Sequence, residues 1–551
     1  FFKQKTSYEI PLRLVGSEMC IRDRIQDWGI NFSRRIRDFE ESYTWNPTDI
    51  RTYSWPEQLG LVKDIKSVKP PLRLFLYPYL KSELDVKKNQ SSNLSYSAGL
   101  DLKYGLSNSF TLDLTLIPDF GQVAFDDEEL NLTPFEQQFD ENRAFFTEGA
   151  SLFEKADIGF RAGNFFYSRR IGQKLNFNEN DYLLDNEELL MYDKKPKLIN
   201  SVKVTGTTNT KLSIGIINTI TDNAYAYFKN NVTNLERKEL LAPTTNYNVL
   251  SLTQEIINDV SSISVLNTNI NRKNGLNGNN TALVADIFDN KRKYNIQSAI
   301  YGSYAPRFSE KNGFKGYISA EELEGNFQFF LHWTGVDKYY NQNELGYFIL
   351  HNSQRVGGRV SYRILKDNKL FRTLSSSLYV GRTFRFDDGE RIRTGMRFAN
   401  MIQLQNLSGI GFVLRYTDRE KDYYETRNND RFIINPSELD VLISYSTNNN
   451  KKVYSKIEFS NITSFNEQFN EKKIYNRYEF DLNFRFSDQI SAKISSEVKN
   501  TQEDIGYIME ENEEIYFGNR DLESVENSIK ICLLYTSPSQ RDVEENRMTS
   551  N

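Results

Sequence analysis

The chain has 551 residues and a net charge of −5; it is 38% apolar but 13% aromatic, with 32 Tyr and 38 Phe. That length exceeds one ordinary globular core, and so small a charge excludes the strong basic field of a nucleic-acid binder. No run of about 18 apolar residues occurs, so no transmembrane helix is available, and the wet, aromatic composition argues against a bundle of buried helices.

Both ends stand apart. "FFKQKTSYEIPLRLVGSEMCIRDR" (1–24) and "CLLYTSPSQRD" (532–542) resemble translated sequencing-adapter read-through of environmental assemblies. Residues 1–24 and 531–551 are therefore set aside as artefacts and are expected to make no stable contact with the rest. They contain Cys20 and Cys532, the only cysteines, so no disulfide, cysteine-bound metal or thiol nucleophile is expected.

Residues 25–68 hold Trp28, Trp45 and Trp55, three of the four tryptophans. Trp28, Ile30 and Phe32 alternate onto one face, "WNPTD" and "SWPEQLG" read as turns, and "KSVKPPLRL" reads as a linker because its prolines break helix and sheet. The piece is too short to fold alone and reads as the remnant of a module plus linker.

From residue 72 the pattern is strand, turn, strand. In "LSYSAGLDLKYGL", Leu94, Tyr96, Ala98, Leu100, Leu102, Tyr104 and Leu106 share one face, with Ser95, Ser97, Asp101 and Lys103 opposite. "FTLDLTL" sets Leu112 and Leu114 against Asp113, and "YEFDLNFRF" sets Leu482 and Phe484 against Asn483. Strand pairs recur near 199–219, 246–271, 280–304, 313–337, 355–366, 371–385 and 390–418. Strands of roughly 9–13 residues, apolar on one face and wet on the other, exceed the usual 5–6 or so and match a tilted bilayer crossing. The expectation is an all-β fold: over residues 69–530, a large antiparallel transmembrane-type β-barrel of roughly 20 strands, with Leu112, Leu114, Leu482 and Phe484 facing lipid. A propeller or large sandwich is the soluble rival, but no blade-length repeat supports a propeller.

"PDFGQVAFDDEELNLTPFEQQFDENRAFFTEG" (118–149) breaks this rhythm, and "ADIGFRAG" (156–163) after it alternates as a strand again. "TPFE" is a capping box: Thr133 as N-cap, Pro134 at the first helical position, Glu136 three after the cap. The spacing predicts a short helix from Pro134 to Asn142, with Phe135 and Phe139 on one face. Such a segment is expected in the lumen as a plug, with Asp119, Glu136, Glu141 and Glu148 pairing with Arg143, Arg169 and Arg170.

"IPDFGQV", "NLTPFE", "RAFFTEG", "FYSRRIG" and "VKVTGTTNTKLSIGIINTITD" resemble blocks of the domain of unknown function 5916 family, and "TNYNVLSL" and "NELGYF" do so more weakly. That resemblance implies an outer-membrane β-barrel of Gram-negative bacteria preceded by a family 9-type carbohydrate-binding module, whose end "DWGINFSRRIRDFEESYTW" (27–45) resembles. "DFGQVAFDDEEL" is more acidic than the usual run of that family. The family supplies no reaction.

The acidic runs "DDEEL" (126–130) and "NENDYLLDNEE" (178–188) lack EF-hand spacing and read as solvated loops, so no metal or cofactor is expected. His332 and His351, the only histidines, lie in strand-like sequence with no catalytic signature beside them, and no HExxH, GxSxG, P-loop or Rossmann motif occurs. The leading expectation is an outer-membrane barrel, in contact with lipid, that handles or passes a ligand without catalysis; a carbohydrate is the expected ligand and nucleic acid is not. The alternatives are a surface carbohydrate-active hydrolase with paired carboxylates and a structural or secretion-linked surface protein.

Overall fold

The computed structural model describes residues 25–36, 41–47, 59–66, 73–107, 109–117, 136–159, 163–258, 260–365, 368–427, 430–467, 469–487 and 489–533, apart from the loop 86–92. Its centre is a closed antiparallel barrel of 20 strands. In chain order these are β1 (Leu74–Asp85), β2 (Asn93–Gly105), β3 (Phe110–Leu116), β4 (Leu198–Thr207), β5 (Leu212–Thr221), β6 (Thr245–Glu255) and β7 (Ser262–Arg272). Then come β8 (Gly278–Phe288), β9 (Tyr294–Tyr304), β10 (Gly313–Glu322), β11 (Phe327–Val336), β12 (Ser353–Ile364), β13 (Phe371–Arg385) and β14 (Arg391–Leu404). The ring ends with β15 (Gly409–Thr417), β16 (Glu438–Ser446), β17 (Val453–Asn466), β18 (Glu471–Arg485), β19 (Ile490–Gln502) and β20 (Leu522–Leu533). Each pairs with its neighbours in sequence, and β20 lies beside β1, so no edge strand is left in the ring.

The pleat sorts the side chains. Leu283, Ile300, Ile318 and Leu331 lie on adjacent strands and are 49, 59, 50 and 56% exposed. The alternate positions, such as Ala282, Tyr301, Lys315 and Ser319, are buried. A band of exposed branched aliphatics with aromatics at both of its ends is what a bilayer demands of a barrel wall. On these strands Tyr294, Phe327 and Tyr362 lie at one end of the band and Tyr304, Phe314 and Trp333 at the other. Leu112 and Leu114 share the face of Val202 and Val204, while Asp113 sits opposite Lys203, which faces the lumen. Leu482 and Phe484 take the outward register and Asn483 the inward one. Among the described residues no helix is long and apolar enough to cross a membrane.

The two barrel ends differ. At one, the connections 106–109, 208–211, 256–261, 289–293, 323–326, 365–370, 405–408, 447–452 and 486–489 have only four to six residues. The other carries the long connections 117–197, 222–244, 337–352, 418–437 and 503–521. Two of these, 117–197 and 222–244, supply the three strands of a small sheet, Glu187–Tyr192, Ala224–Asn230 and Glu236–Ala242. Residues 25–66 form two separate two-stranded sheets: Ile25–Ile30 with Gly60–Lys66, and Ser33–Ile36 with Glu41–Thr44. Phe32 falls between strands rather than sharing one with Trp28, and its ring meets Trp45 edge-on at 6.0 Å. Trp55 lies outside the described residues.

Three expectations are corrected. Residues 136–143 are not helical; among the described residues of this segment the only α-helical turn is α1 (Ala144–Thr147). The reason is tertiary: the Phe139 N–H donates to the Tyr167 hydroxyl, the Phe139 carbonyl accepts from it, the Asp140 carbonyl accepts from Arg169 Nε, and the Glu136 carbonyl accepts from the Tyr347 hydroxyl. Those groups are thereby satisfied in an extended chain. Thr133 and Pro134, the expected cap, and Asp119 lie outside the described residues. Of the stretch 156–163, residues 160–162 lie outside the described residues, and 156–159 and 163 form no strand, for all their alternation; Asn164 instead makes a single antiparallel bridge with Tyr347. Finally, β20 pairs with β19 as far as Ser491–Cys532 and Ile490–Leu533, so residues 531–533 belong to the wall. Ladder hydrogen bonds are made by backbone groups and do not depend on what the side chains resemble.

Candidate functional site: the lumenal segment

Residues 136–159 and 163–172 fold back onto the inner wall. Phe153 packs over Gly215 of β5, and the Leu152 carbonyl accepts from Ser251 Oγ of β6 at 2.5 Å. Tyr301 of β9 donates to the Ala156 carbonyl at 2.8 Å, and Phe165 lies against its ring. Tyr317 of β10 sits against Gly159, whose φ of +96° admits few other residues. The buried aromatics form two clusters with the wall: Phe146, Phe153 and Ile171 with Ile217, Tyr247, Val249 and Ile270, and Phe165 and Ala156 with Leu266, Val284 and Tyr301. Apolar burial is the larger stabilising term here, at about 1.5–3 kcal/mol for each fully buried side chain.

A second connection, 337–352, joins it. The Asn164 N–H donates to the Tyr347 carbonyl at 2.9 Å and the Tyr347 N–H returns to the Asn164 carbonyl at 2.8 Å. Gln342 Nε2 donates to both of those carbonyls, and Arg170 Nε donates to the Gly346 carbonyl at 3.0 Å. Glu344, whose side chain is 1% exposed, is held by Arg272 of β7 at 2.5 Å. Sequence reading missed this partner. Its signal was present in "NELGYF", where Leu345, Tyr347 and Phe348 follow a polar pair without strand alternation in a connection too long for a hairpin.

The charged residues singled out from sequence are distributed as follows. Arg170 pairs with Glu136 at 2.7 Å. Arg143 grips Glu141 through two nitrogens at 2.6 and 2.8 Å, donates to the Ser168 and Ile171 carbonyls and lies over the Phe146 ring at 4.4 Å. Burial pushes the Glu141 carboxyl up, but Arg143 and the Ser168 hydroxyl outweigh it and hold it below the usual range. Glu148 pairs with Lys103 of β2 rather than with an arginine, and Arg169 binds the Asp140 carbonyl.

Two anchors were not foreseen. Lys203 of β4, with a side chain 2% exposed, donates to the Phe145 carbonyl at 2.5 Å and the Glu148 carbonyl at 2.9 Å, and lies 3.5 Å from Asp113. Asp157 accepts the Phe165 N–H at 2.6 Å in a cluster with Lys315 and Tyr301. Neither reveals itself in a single sequence, since each partner lies far along the chain.

These differences set two expected results. Glu148→Ala will be nearly silent, because an ion pair of two half-exposed side chains contributes about 0–1 kcal/mol. Arg143→Ala will loosen the segment by about 3–5 kcal/mol, because it leaves Glu141 buried and unpaired. Amide exchange at residues 144–153 separates the two variants. Asp157 sets the pH dependence. Burial raises its carboxyl from 3.8 to about 7, against the Phe165 N–H and Lys315, which lower it, and with Glu154, which raises it. A raised acid stabilises the docked state fully below 3.8, and that stability is lost as pH rises towards about 7. Protection of residues 163–167, corrected for intrinsic exchange, will therefore fall between those values and level off above. Asp157→Asn will flatten the profile; a profile unchanged in that variant would assign the dependence elsewhere.

On the segment's surface lies a cavity of about 370 Å³ lined by Gln138, Phe139, Asp140, Glu141, Phe146, Thr147, Ala150, Phe153, Glu154, Asn164, Phe166, Tyr167 and Ser168. Ring faces beside carboxylates, amides and hydroxyls form a surface that can stack on a ligand and hydrogen-bond its rim. Of the histidines, His332 lies in β11 with Nε2 3.0 Å from the Tyr379 hydroxyl. His351 lies in the 337–352 connection, not in a strand, with Nδ1 3.2 Å from the Tyr340 carbonyl, and burial lowers its pKa.

Residues 70–540 match the profile of a family described as "Domain of unknown function (DUF5916)". The chain belongs to the DUF5916 family. In the family's terms, the whole barrel and both in-folded connections lie inside the matched region. No curated protein shows significant sequence similarity to the chain. Among solved structures it is similar to Pseudomonas aeruginosa OccK5 (OpdH) and OpdQ, each 8% identical with a TM-score of 0.34. These matches cover 64 and 63% of this chain and 95% of each of the others. OprD of the same organism is 6% identical with a TM-score of 0.28, over 67% of this chain and 99% of that one. At such scores the likeness adds nothing to what the strand pairing already establishes.

Proposed function

We propose that this DUF5916 chain is an outer-membrane channel in which the segment 118–149 belongs to a plug that narrows the lumen and handles a small ligand, its described residues 136–149 docked on the wall together with 150–159, 163–172 and 337–352. One observation carries the reading: Lys203, Ser251 and Tyr301, on the inner faces of three different strands, all hold backbone carbonyls of one segment. A loop fixed to the wall in this way occupies lumenal cross-section that a bare barrel would leave to water. A glycan is the ligand favoured by the lining of the cavity beside Phe139 and Tyr167, where rings adjoin carboxylates and amides. Outer-membrane barrels keep short turns on the periplasmic side and long loops outside. By that rule the end bearing 447–452 is periplasmic and the end bearing 503–521 is external. Since β1 starts at the short-turn end, residues 25–66 join the barrel on the periplasmic side.

Two measurements test this. With Cys20 and Cys532 replaced by serine, a cysteine at Asn512 will react with a membrane-impermeant maleimide on intact cells, and one at Asn449 will not. The reverse pattern would invert the orientation. In planar bilayers, deleting residues 126–142 will raise single-channel conductance while the barrel still assembles. An assembled deletion variant with unchanged conductance would remove the plug.

A further inference from the structure

The inner wall is not evenly charged. Strands β12 to β15 contain no Asp, Glu or Lys at all. Their charged residues are all arginine, and register decides which of these face inward. Tyr317 packs on the lumenal segment and pairs with Thr334, which pairs with Arg355. Alternation along β12 then turns Arg359 and Arg363 inward as well. Across the sheet, Arg359 pairs with Tyr379, Tyr379 with Arg397, and Arg397 with Arg415, while Thr383 sets Arg393 on the same face. Six guanidinium groups on three of these four strands, β12, β14 and β15, therefore point into the lumen, in a chain whose net charge is negative.

The protein neutralises only part of this wall. Arg393 pairs with Glu420 at 3.0 Å and Arg415 with Asp440 at 2.5 Å. Arg355 donates to the Tyr379 hydroxyl at 3.1 Å, and Arg359 lies over the Phe330 ring at 5.4 Å. Among the described residues Arg359, Arg363 and Arg397 have no ion pair, the nearest acid to act on Arg359 being Glu321 of β10 on the same face, and Arg363 Nε is buried with no hydrogen-bond partner. The next strands behave differently: Arg477 is bound by Glu458, Glu479 and Glu497, and Lys493 by Asp481. On the lumenal segment Asp140 and Glu154 are exposed acids, while Glu136 is paired with Arg170.

We infer that the β12–β15 wall is an anion track and that the permeant solutes are small molecules bearing a carboxylate. This rests on the channel reading above. Uncompensated arginines along a confined aqueous path raise the local concentration of anions, and a guanidinium fork matches a carboxylate with two parallel hydrogen bonds. Within about a Debye length of the wall, about 8 Å at physiological ionic strength, the field of these arginines is not screened away.

The test is the reversal potential of the whole chain in a planar bilayer under a KCl gradient. Chloride preference of several-fold is expected, and the variant R359Q/R363Q/R397Q will lose most of it while still assembling as an open channel. Because that variant removes three arginines, a second measurement uses the unaltered protein: in liposome swelling, glucuronate will enter faster than glucose, which differs from it by the carboxylate alone. Open channels that prefer potassium, or glucose entering as fast as glucuronate, would overturn the anion track and leave the channel standing. Absence of any conductance would overturn the channel and the track with it.

Discussion

Lys203→Met will release the lumenal segment and raise pore conductance more than any other single substitution considered. The lysine holds two backbone carbonyls of the segment, those of Phe145 and Glu148, beside a carboxylate, that of Asp113. Its ammonium also lies 4.9 Å from the centre of the Phe145 ring. Methionine preserves the stem and removes all of these interactions. Each carbonyl left buried without a donor costs about 1–3 kcal/mol, and a carboxylate left without its cation costs about 3–5 kcal/mol. Such a loss is comparable to the stability of a docked loop, so α1 should detach while the twenty-strand ring persists. Larger single-channel conductance with faster exchange at residues 144–153 is the expected pair of results. The double variant Lys203→Met with Asp113→Asn should recover part of the loss, because no bare charge then remains. Wild-type conductance and exchange in Lys203→Met would show that the aromatic clusters alone hold the segment.

The second large effect lies on the outer face. Leu283 and Ile300 sit directly opposite one another near the middle of β8 and β9, and both are strongly exposed. On a soluble protein an arginine there would be harmless, since it would only replace apolar surface in water. In a bilayer it meets hydrocarbon, and an arginine near the midplane of a barrel costs about 2–4 kcal/mol. Ile300→Arg should therefore weaken folding into vesicles by that amount, read from the urea dependence of the folded fraction. Tyr294→Arg, in the aromatic belt at the barrel end, should cost about 0–1 kcal/mol. Equal effects at the two positions would contradict the membrane face.

Alternation was legible because it is local. A strand with lipid on one side and water or packed segment on the other must switch polarity at every residue. That rule alone turned Leu112, Leu114, Leu482 and Phe484 outward, turned Asp113 and Asn483 inward and put the strand number near 20. The same rule misled at 156–159, where Ala156 is buried against the wall and Asp157 accepts the Phe165 N–H instead of joining a ladder. The capping-box rule misled at 136–142 because tertiary donors and acceptors, chiefly Tyr167, Arg169 and Tyr347, took the backbone groups that a helix would have used.

What the sequence determined by itself is the wall: its strand-turn rhythm, its lipid face, the odd acidic-aromatic insertion between β3 and β4, and the absence of any cysteine other than Cys20 and Cys532. What only the tertiary structure decided is the content of the lumen. Glu141 and Arg143 meet two residues apart, but the rest of the docking joins Arg170 to Gly346, Gln342 to Asn164 and Lys203 to Phe145. These contacts exist only once closure of the ring brings β4, β9 and the 337–352 connection around one space. Likewise, each arginine of β12–β15 is visible in the sequence, but that they form one uncompensated surface follows from register between strands. Register is a property of pairing, and no single strand carries it.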